Sequence, residues 1–299
     1  MKKLLLIINP NAGRMKAGSI LLRLVTAFSA NGYEVTVFPT VKRGDAERIA
    51  YINGKAFDLV VCYGGDGTLS ETINGLMRIS EPPSFSFITA GTSNDFARTV
   101  SMPTNVERAV EKIINGADSP LDIGSITTSE GERFFVYVAA FGLFTSVSYV
   151  VPQGAKKVFG HLAYVAEGVK QTIDIPAYKM TIEYDGTVVT DEFAVGLIAN
   201  TTSVAGMFKL NRSKVQLDDG KFELILVKNP NNPILLSKIM MDLSAQKFHS
   251  DYVIFERVSN VKITSEEGQN IAWCLDGESG GVHKNVEISN LHSRGTIRL

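Results

Sequence analysis

Short apolar runs take turns with helix-period segments from Leu4 to Ile113, and no other feature of the chain narrows its fold as much. Leu4 to Ile8 reads as a fully apolar strand. Ile20, Leu21, Leu24 and Phe28 then recur at helical spacing up to Asn31-Gly32, a helix stop. Tyr33 to Phe38 alternates as a strand, Asp45 to Ile52 reads as a helix, Phe57 to Cys62 as a strand, Leu69 to Ile79 as a helix and Phe85 to Ile88 as a strand. A short helix is expected after Asn94, and Val106, Ala109, Val110 and Ile113 mark another from Asn105. Strands alternating with helices imply right-handed crossovers and a parallel sheet covered on both faces.

From about Asp122 the period changes to two. Phe134, Val136 and Val138 alternate, as do Met180, Ile182 and Tyr184; Phe193, Val195 and Leu197; Phe222, Leu224 and Leu226; and Ile271, Trp273 and Leu275. Gly, Asn and Asp between these runs point to an antiparallel sandwich or barrel-like arrangement, interrupted by helical segments at about Lys157 to Ile173 and Pro233 to Gln246. A single core stops growing near about 250–300 residues. The 299 residues are therefore expected to form two domains: an α/β domain with a parallel sheet over 1–121, and an all-β, sandwich-like domain over 122–299. No internal repeat or low-complexity tract is present.

Hydrophobic residues make up 44% and charged residues 20%, the composition of an ordinary soluble globular protein. With 30 Lys and Arg against 31 Asp and Glu there is no global field for nucleic acid, which is not an expected partner; an anionic ligand needs a local cluster. The opening MKKLLLIINPNAG carries two lysines and an apolar run, but Asn9 and Pro10 end that run too soon for a secretory core. No stretch approaches the ~18 apolar residues of a membrane span. Cys62 and Cys274 both sit in apolar strand-like runs and read as buried, reduced thiols. The expectation is a cytoplasmic protein, soluble or peripheral at the inner face of a membrane.

Chemistry concentrates where strands give way to helices. In a parallel α/β sheet, ligands collect at the carboxyl ends of strands, beside helix N-termini with unpaired N–H groups. Gly64-Gly65-Asp66-Gly67-Thr68 lies at such an end, and its glycines would permit φ > 0 and a close approach to phosphate oxygens. Asp66 would repel phosphate directly, so its place there makes sense with Mg²⁺ between them. The same residues also read as a plain strand-to-helix turn with Thr68 as N-cap. Neither G-x-G-x-x-G nor G-x-x-x-x-G-K-[ST] occurs. Phe87 to Arg98 puts Gly91, hydroxyls and Asn94-Asp95 after another strand, with capping by Ser93 or Asn94 as the alternative. Asn9 to Gly13, with Arg14 and Lys16, forms a third loop carrying cations for phosphate oxygens.

Asn9-Pro10 with Gly13, Thr40 to Asp45-Ala46, Gly64-Gly-Asp-Gly-Thr-Leu69, Gly91-Thr-Ser-Asn-Asp-Phe-Ala-Arg98 and Asp276-Gly-Glu278 together resemble the diacylglycerol kinase catalytic family, which includes sphingosine and ceramide kinases. The likeness covers nearly the whole chain and is nearest to the soluble diacylglycerol kinases of Gram-positive bacteria. Gly-Gly-Asp-Gly alone is shared with NAD kinases and phosphofructokinases; the ordered set is far more specific. Ser70 departs from the family's usual Asn in GGDGTLNE, keeping a polar group but losing an amide.

The resemblance implies an NAD kinase/diacylglycerol kinase-like fold with a cradle for ATP made by Asn9, Thr40, Gly65, Asp66, Gly67, Thr68, Gly91, Thr92 and Asn94. It implies an acidic network ordering Mg²⁺, with Asp66 joined by Asp95, Asp122 and Asp219, and catalytic Asp276 with Glu278 beside it. Without the family, Asp219-Gly220 and Asp276-Gly277 are hairpin-turn signals. Alternation still places Asp276 opposite Trp273 and Leu275, where it would face a cleft. Lys156-Lys157, the stripe Val158, Leu162, Val165 and Val169, and Phe141 to Phe144 read either as a bilayer contact admitting acyl chains or as a core-facing helix with solvated lysines. His161, His249, His283 and His292 show no ligand spacing. The expected reaction moves the γ-phosphoryl group of ATP to a lipid hydroxyl at a membrane surface, diacylglycerol first among candidates. A kinase of a soluble substrate such as NAD and a silent lipid- or nucleotide-binding module are the rivals. Lipid identity, ATP over GTP and oligomeric state, a homodimer included, stay open.

Overall fold

The computed structural model describes residues 1–13, 17–91, 94–143, 145, 177–201, 203–204, 208–209, 216–248 and 250–299. The expected helix at 157–173, Lys156, Phe144, Arg14, Lys16, Thr92, Ser93, His161 and His249 lie outside them. The chain divides into two compact units. The first is Met1–Ile123 with Phe134–Val136 and Leu291–Leu299; the second is Gly124–Arg133 with Tyr137–Asn290.

In the first unit β1 (Lys2–Ile8), β2 (Tyr33–Pro39), β3 (Leu59–Gly64) and β4 (Ser84–Thr89) form a parallel sheet in the order β2-β1-β3-β4. Helices α1 (Ala17–Ala30), α2 (Asp45–Asn53), α3 (Asp66–Met77), α4 (Asp95–Thr99) and α5 (Val106–Asn115) connect the strands and follow the last of them. The interior strands are apolar throughout because both faces are covered: Leu4 to Ile7 and Val60 to Val61 have no accessible surface. Helix α5 shows how local sequence sets an element. Asn105 accepts the Arg108 N–H at 3.0 Å as N-cap, and the expected stripe Val106, Ala109, Val110 and Ile113 is the buried face.

Two long strands carry the chain between units. β5 (Asp118–Thr128) leaves the first at Ile123, and β17 (Asn285–Arg298) returns to it at Leu291. There Ile297 pairs in parallel with Phe85 of β4. Arg298 grips Asp118 through two N–H···O bonds of 2.7 and 2.8 Å, while the Arg294 guanidinium donates to the carbonyls of Met77, Ile79 and Ser80 at the end of α3. Arg294 therefore satisfies carbonyls that a helix C-terminus leaves without partners.

The second unit contains β7 (Val138–Gly142), β8 (Tyr178–Tyr184), β9 (Thr187–Ala199), β10 (Ser203–Val204), β11 (Phe208–Lys209), β12 (Phe222–Lys228), β13 (Val253–Val258), β14 (Asn260–Ser265), β15 (Ile271–Leu275) and β16 (Glu278–His283), with one helix, α6 (Pro233–Ser244), among its described residues. Its pairings are antiparallel, as the period-2 runs require. β9 pairs with β8 over its first half; over its second half it lies between β7 and β12. Trp273, Phe141, Phe193 and Phe222 are fully buried in the core, with the Phe141 and Trp273 rings edge to face at 5.2 Å. One expected strand is broken. β6 (Gly131–Phe135) stops before Val136 and β7 starts at Val138, where the N–H groups of Phe134, Tyr137 and Val138 donate to side-chain oxygens. The Asn74 amide takes both the N–H and the carbonyl of Phe134, and Asp276 takes the N–H groups of Tyr137 and Val138. Among the described residues no helix is long and apolar enough to cross a membrane.

The second unit also encloses a carboxyl group. Glu223 on β12 is 2% exposed, and Arg257 Nε lies 3.6 Å from Oε1, too far for a hydrogen bond. Burial pushes its pKa up to about 7 from an ordinary 4.5. A folded-state value above the unfolded one means that folding takes up a proton, so this contribution is fully present below about pH 4.5 and is lost as pH rises through 7. Glu223→Gln should stabilise the protein at pH 8 by about 1–3 kcal/mol and change it little at pH 5. Thermal melts at the two pH values check this, and equal shifts at both would contradict it.

Candidate active site

The carboxyl ends of the four parallel strands are level: Ile8 lies beside Pro39 and Tyr63, and Gly64 beside Thr89. The loops that follow β1, β2, β3 and β4 therefore emerge along one edge, where open α/β sheets bind ligands. Hydrogen bonds stitch them together. Ala90 N–H donates to the Gly64 carbonyl at 2.7 Å, Thr40 N–H to Ile8 at 2.9 Å and Asn9 N–H to Tyr63 at 2.9 Å. The Asn9 side chain bridges two loops: Nδ2 donates to Thr68 Oγ1 at 3.3 Å, and Oδ1 accepts the Asn11 N–H at 3.0 Å.

Gly64 to Thr68 differs from its sequence reading in two ways. Helix α3 starts at Asp66, three residues before the expected Leu69, with extended Gly65 (φ −89, ψ −174) as N-cap; the Gly65 carbonyl accepts the N–H groups of Thr68 and Leu69. Thr68 is thus in the first turn and is not the cap. The glycines are also not needed for φ > 0, since none of Gly64, Gly65, Gly67 and Gly91 takes a left-handed conformation. They are needed for close approach. A Cβ on Gly91 would stand 2.9 Å from Gly65 Cα and 2.9 Å from Asn94 Oδ1, and one on Gly64 would stand 2.4 Å from Thr68 Oγ1. The left-handed residue is Asn94 (φ 49), a type that tolerates it.

Asn9, Gly65, Asp66, Thr68, Gly91 and Asn94 are thereby brought together, and Thr40 joins them through β1. Asp66 Oδ2 accepts the Asn94 N–H at 3.0 Å, so one of its oxygens orders the neighbouring loop. Asn94 Nδ2 donates to the Gly91 carbonyl, while Asn94 Oδ1 and Thr89 Oγ1 are buried without a hydrogen-bond partner among the described residues. Orphaned polar atoms at a strand end cost free energy that a polar ligand can recover.

The other acidic positions have partners of their own. Asp95 is buried, with Arg98 at 3.5 Å; Asp122 is fully buried and accepts the Ser293 N–H at 2.7 Å and faces His292 Nδ1 at 3.1 Å. Asp219, in the second unit, pairs with Arg257 and accepts the Lys221 N–H. Among the described residues no three His, Cys, Asp or Glu side chains form a group that could hold a metal ion. His292, whose spacing suggested no role, therefore has a structural one. Asp122 lies 170 residues away in sequence, and no local signal connects them.

Asp276 and Gly277 both take left-handed conformations (φ 50 and 81), the two-residue turn that joins β15 to β16. The alternation expected for β15 holds, with Trp273 and Leu275 buried and Cys274 half-buried, but Asp276 is 2% exposed and does not face an open cleft. Its Oδ1 accepts the N–H groups of Tyr137 and Val138 at 3.0 and 3.1 Å, and its own N–H donates to the Val138 carbonyl. Glu278 opens β16 opposite Leu275 and is half-buried. Cys62 and Cys274 are free thiols, which burial pushes up to about 12 and about 11, so both stay protonated at neutral pH.

A family model described as the diacylglycerol kinase catalytic domain matches residues 3–126. A diacylglycerol kinase of Bacillus subtilis (strain 168) is 32% identical over 284 residues, covering 94% of this chain and 91% of its own. One from Staphylococcus aureus (strain MRSA252) is 33% identical over 288 residues, covering 94% and 87%. A crystal structure of a diacylglycerol kinase from Bacillus anthracis strain Sterne covers 99% of this chain and 96% of its own with a TM-score of 0.75; at 24% identity that likeness speaks for the fold. Identity of this order along almost the full length, with the stitched loops at the strand ends inside the matched region, makes this chain a member of the diacylglycerol kinase family.

Proposed function

We propose that this chain phosphorylates diacylglycerol, moving the γ-phosphoryl group of ATP to the free hydroxyl to give phosphatidic acid and ADP. The observation that carries the reading is the edge where the loops after β3 and β4 pass with only glycine between them, next to the first turn of α3. Backbone N–H groups and the helix dipole favour phosphate there, and Asn9, Thr40, Thr68, Gly91 and Asn94 complete the cradle, to which the family resemblance adds Thr92. Asn94 Oδ1 and Thr89 Oγ1 are polar atoms there without a hydrogen-bond partner among the described residues. The lipid is met at a bilayer surface, on the cytoplasmic side where ATP is available.

Mg²⁺ fits this donor set. It keeps most of its waters and takes one or two carboxylates together with phosphate oxygens, so a preformed protein cage is not required. Asp66 would hold it, with Asp95, Asp122 and Asp219 as the outlying acidic positions. When bound, the ion supplies charge neutralisation to the phosphates. Asp276 and Glu278 are the proposed proton acceptors: as the lipid oxygen bonds to phosphorus and the bond to ADP breaks, the hydroxyl proton passes to a carboxylate. Tyr137 and Val138 N–H groups hold Asp276 in one orientation. Transfer passes through a loose transition state, so a weak base suffices and positioning supplies most of the acceleration.

Labelled ATP offered with a panel of lipids in mixed micelles should yield labelled phosphatidic acid; label entering NAD and no lipid would overturn the reading. Asp276→Asn keeps an oxygen for the two N–H groups and should fold, yet lose about 10²–10⁴-fold in turnover with nucleotide affinity unchanged. Turnover near that of the parent would remove Asp276 from the role. Gly91→Ala should raise the KM for ATP by about tenfold by pushing the two loops apart. Steady-state kinetics with varied ATP checks it.

A further inference from the structure

The loop that carries Thr40 has no glycine contact like that of Gly65 and Gly91. It is held instead by two carboxylates. Asp45 Oδ2 accepts the N–H groups of Val41 and Lys42 at 2.8 and 3.0 Å, and these hold its carboxyl below the ordinary value. Glu71 reaches across from the second turn of α3: Oε1 accepts the Gly44 N–H at 2.8 Å and Oε2 the Ala46 N–H at 3.2 Å. Gly44 is the left-handed N-cap of α2 (φ 83) and has no side chain to cap it, so a carboxylate from another helix does this work, on the end that the helix dipole makes positive. The two helices are close along their length as well. A Cβ on Gly75 of α3 would stand 2.2 Å from the Glu47 carbonyl of α2, and Arg78 pairs with Glu47 at 3.2 Å.

We propose that Glu71 is a positioning residue for the nucleotide: from the helix whose first turn follows the Gly65 loop, it sets the place of the 40–46 loop and so of Thr40. This rests on the reading that ATP is held at these loops. Both oxygens of Glu71 are committed to backbone N–H groups on the loop side, so it orders the cradle without touching the reacting atoms. The side chain also links two stretches that the phosphates must meet together, the loop after β2 and the start of α3.

Glu71→Gln tests this. Its amide nitrogen would face the N–H of Gly44 or of Ala46, so one tie is lost and donor meets donor. The KM for ATP should rise about tenfold, with kcat within about threefold and the KM for diacylglycerol unchanged; Glu71→Asp, which keeps the charge but is one methylene short, should recover part of the loss. A merely structural role would lower the melting temperature and leave the KM for ATP where it was. If Gly91→Ala raises that KM and Glu71→Gln does not, the Glu71 assignment fails while the ATP reading stands. If neither variant raises it, the ATP reading fails and takes the assignment with it. Should Glu71→Gln not fold, hydrogen exchange in the parent protein decides. A non-hydrolysable ATP analogue should slow exchange across 40–46, and unchanged exchange there overturns the proposal.

Discussion

Two stretches of main chain pass at Gly65 and Gly91 more closely than a side chain on Gly91 would permit, and the first unit's loop system is arranged around that approach. Level strand ends bring the loops alongside each other, and the Ala90 to Gly64 bond holds them there. With a Cβ at Gly91 the loops would separate, and the start of α3 would lose its fixed relation to Asn94. Close backbone packing therefore does here what a left-handed turn was expected to do.

Around this contact, acidic side chains serve as ties for backbone N–H groups. Asp66 holds Asn94, Asp45 holds Val41 and Lys42, Glu71 holds Gly44 and Ala46, Asp122 holds Ser293, and Asp276 holds Tyr137 and Val138. Hydrogen bonds to a charged acceptor are stronger than neutral ones, and each tie replaces a pairing that an irregular segment cannot find in a sheet. An acidic residue in such a chain therefore has two lives. The same carboxylate can build a loop and belong to a motif read as chemical, and the motif does not say which duty dominates.

Elements governed by local period were legible in the sequence. The expected helix at Asp45–Ile52 is α2 to within one residue, the buried stripe of α5 is the one read from its spacing, and the period-2 runs became antiparallel strands. Misreadings came where something other than local period decided the matter. The start of α3 is set by extended Gly65 rather than by a polar cap. The break between β6 and β7 depends on Asn74, 60 residues away, and on Asp276, 139 residues away from Tyr137. Of the site, the loops were readable because glycines and hydroxyls after an apolar run are local signals. The links of Asp122 to His292 and of Glu71 to Gly44 span 170 and 27 residues and leave no pattern in the chain.

The return of β17 bears on how the molecule is made. Residues 1–123 leave the ribosome long before Leu291–Leu299, yet the strand beside β4, the cap on the α3 carbonyls and the partner of Asp118 all come from that later segment. Domains of a nascent chain generally fold as they emerge. Here the unit begun by residues 1–123 must wait with one sheet edge uncovered until Leu291–Leu299 has been made, which ties the maturation of its loops to the synthesis of everything between.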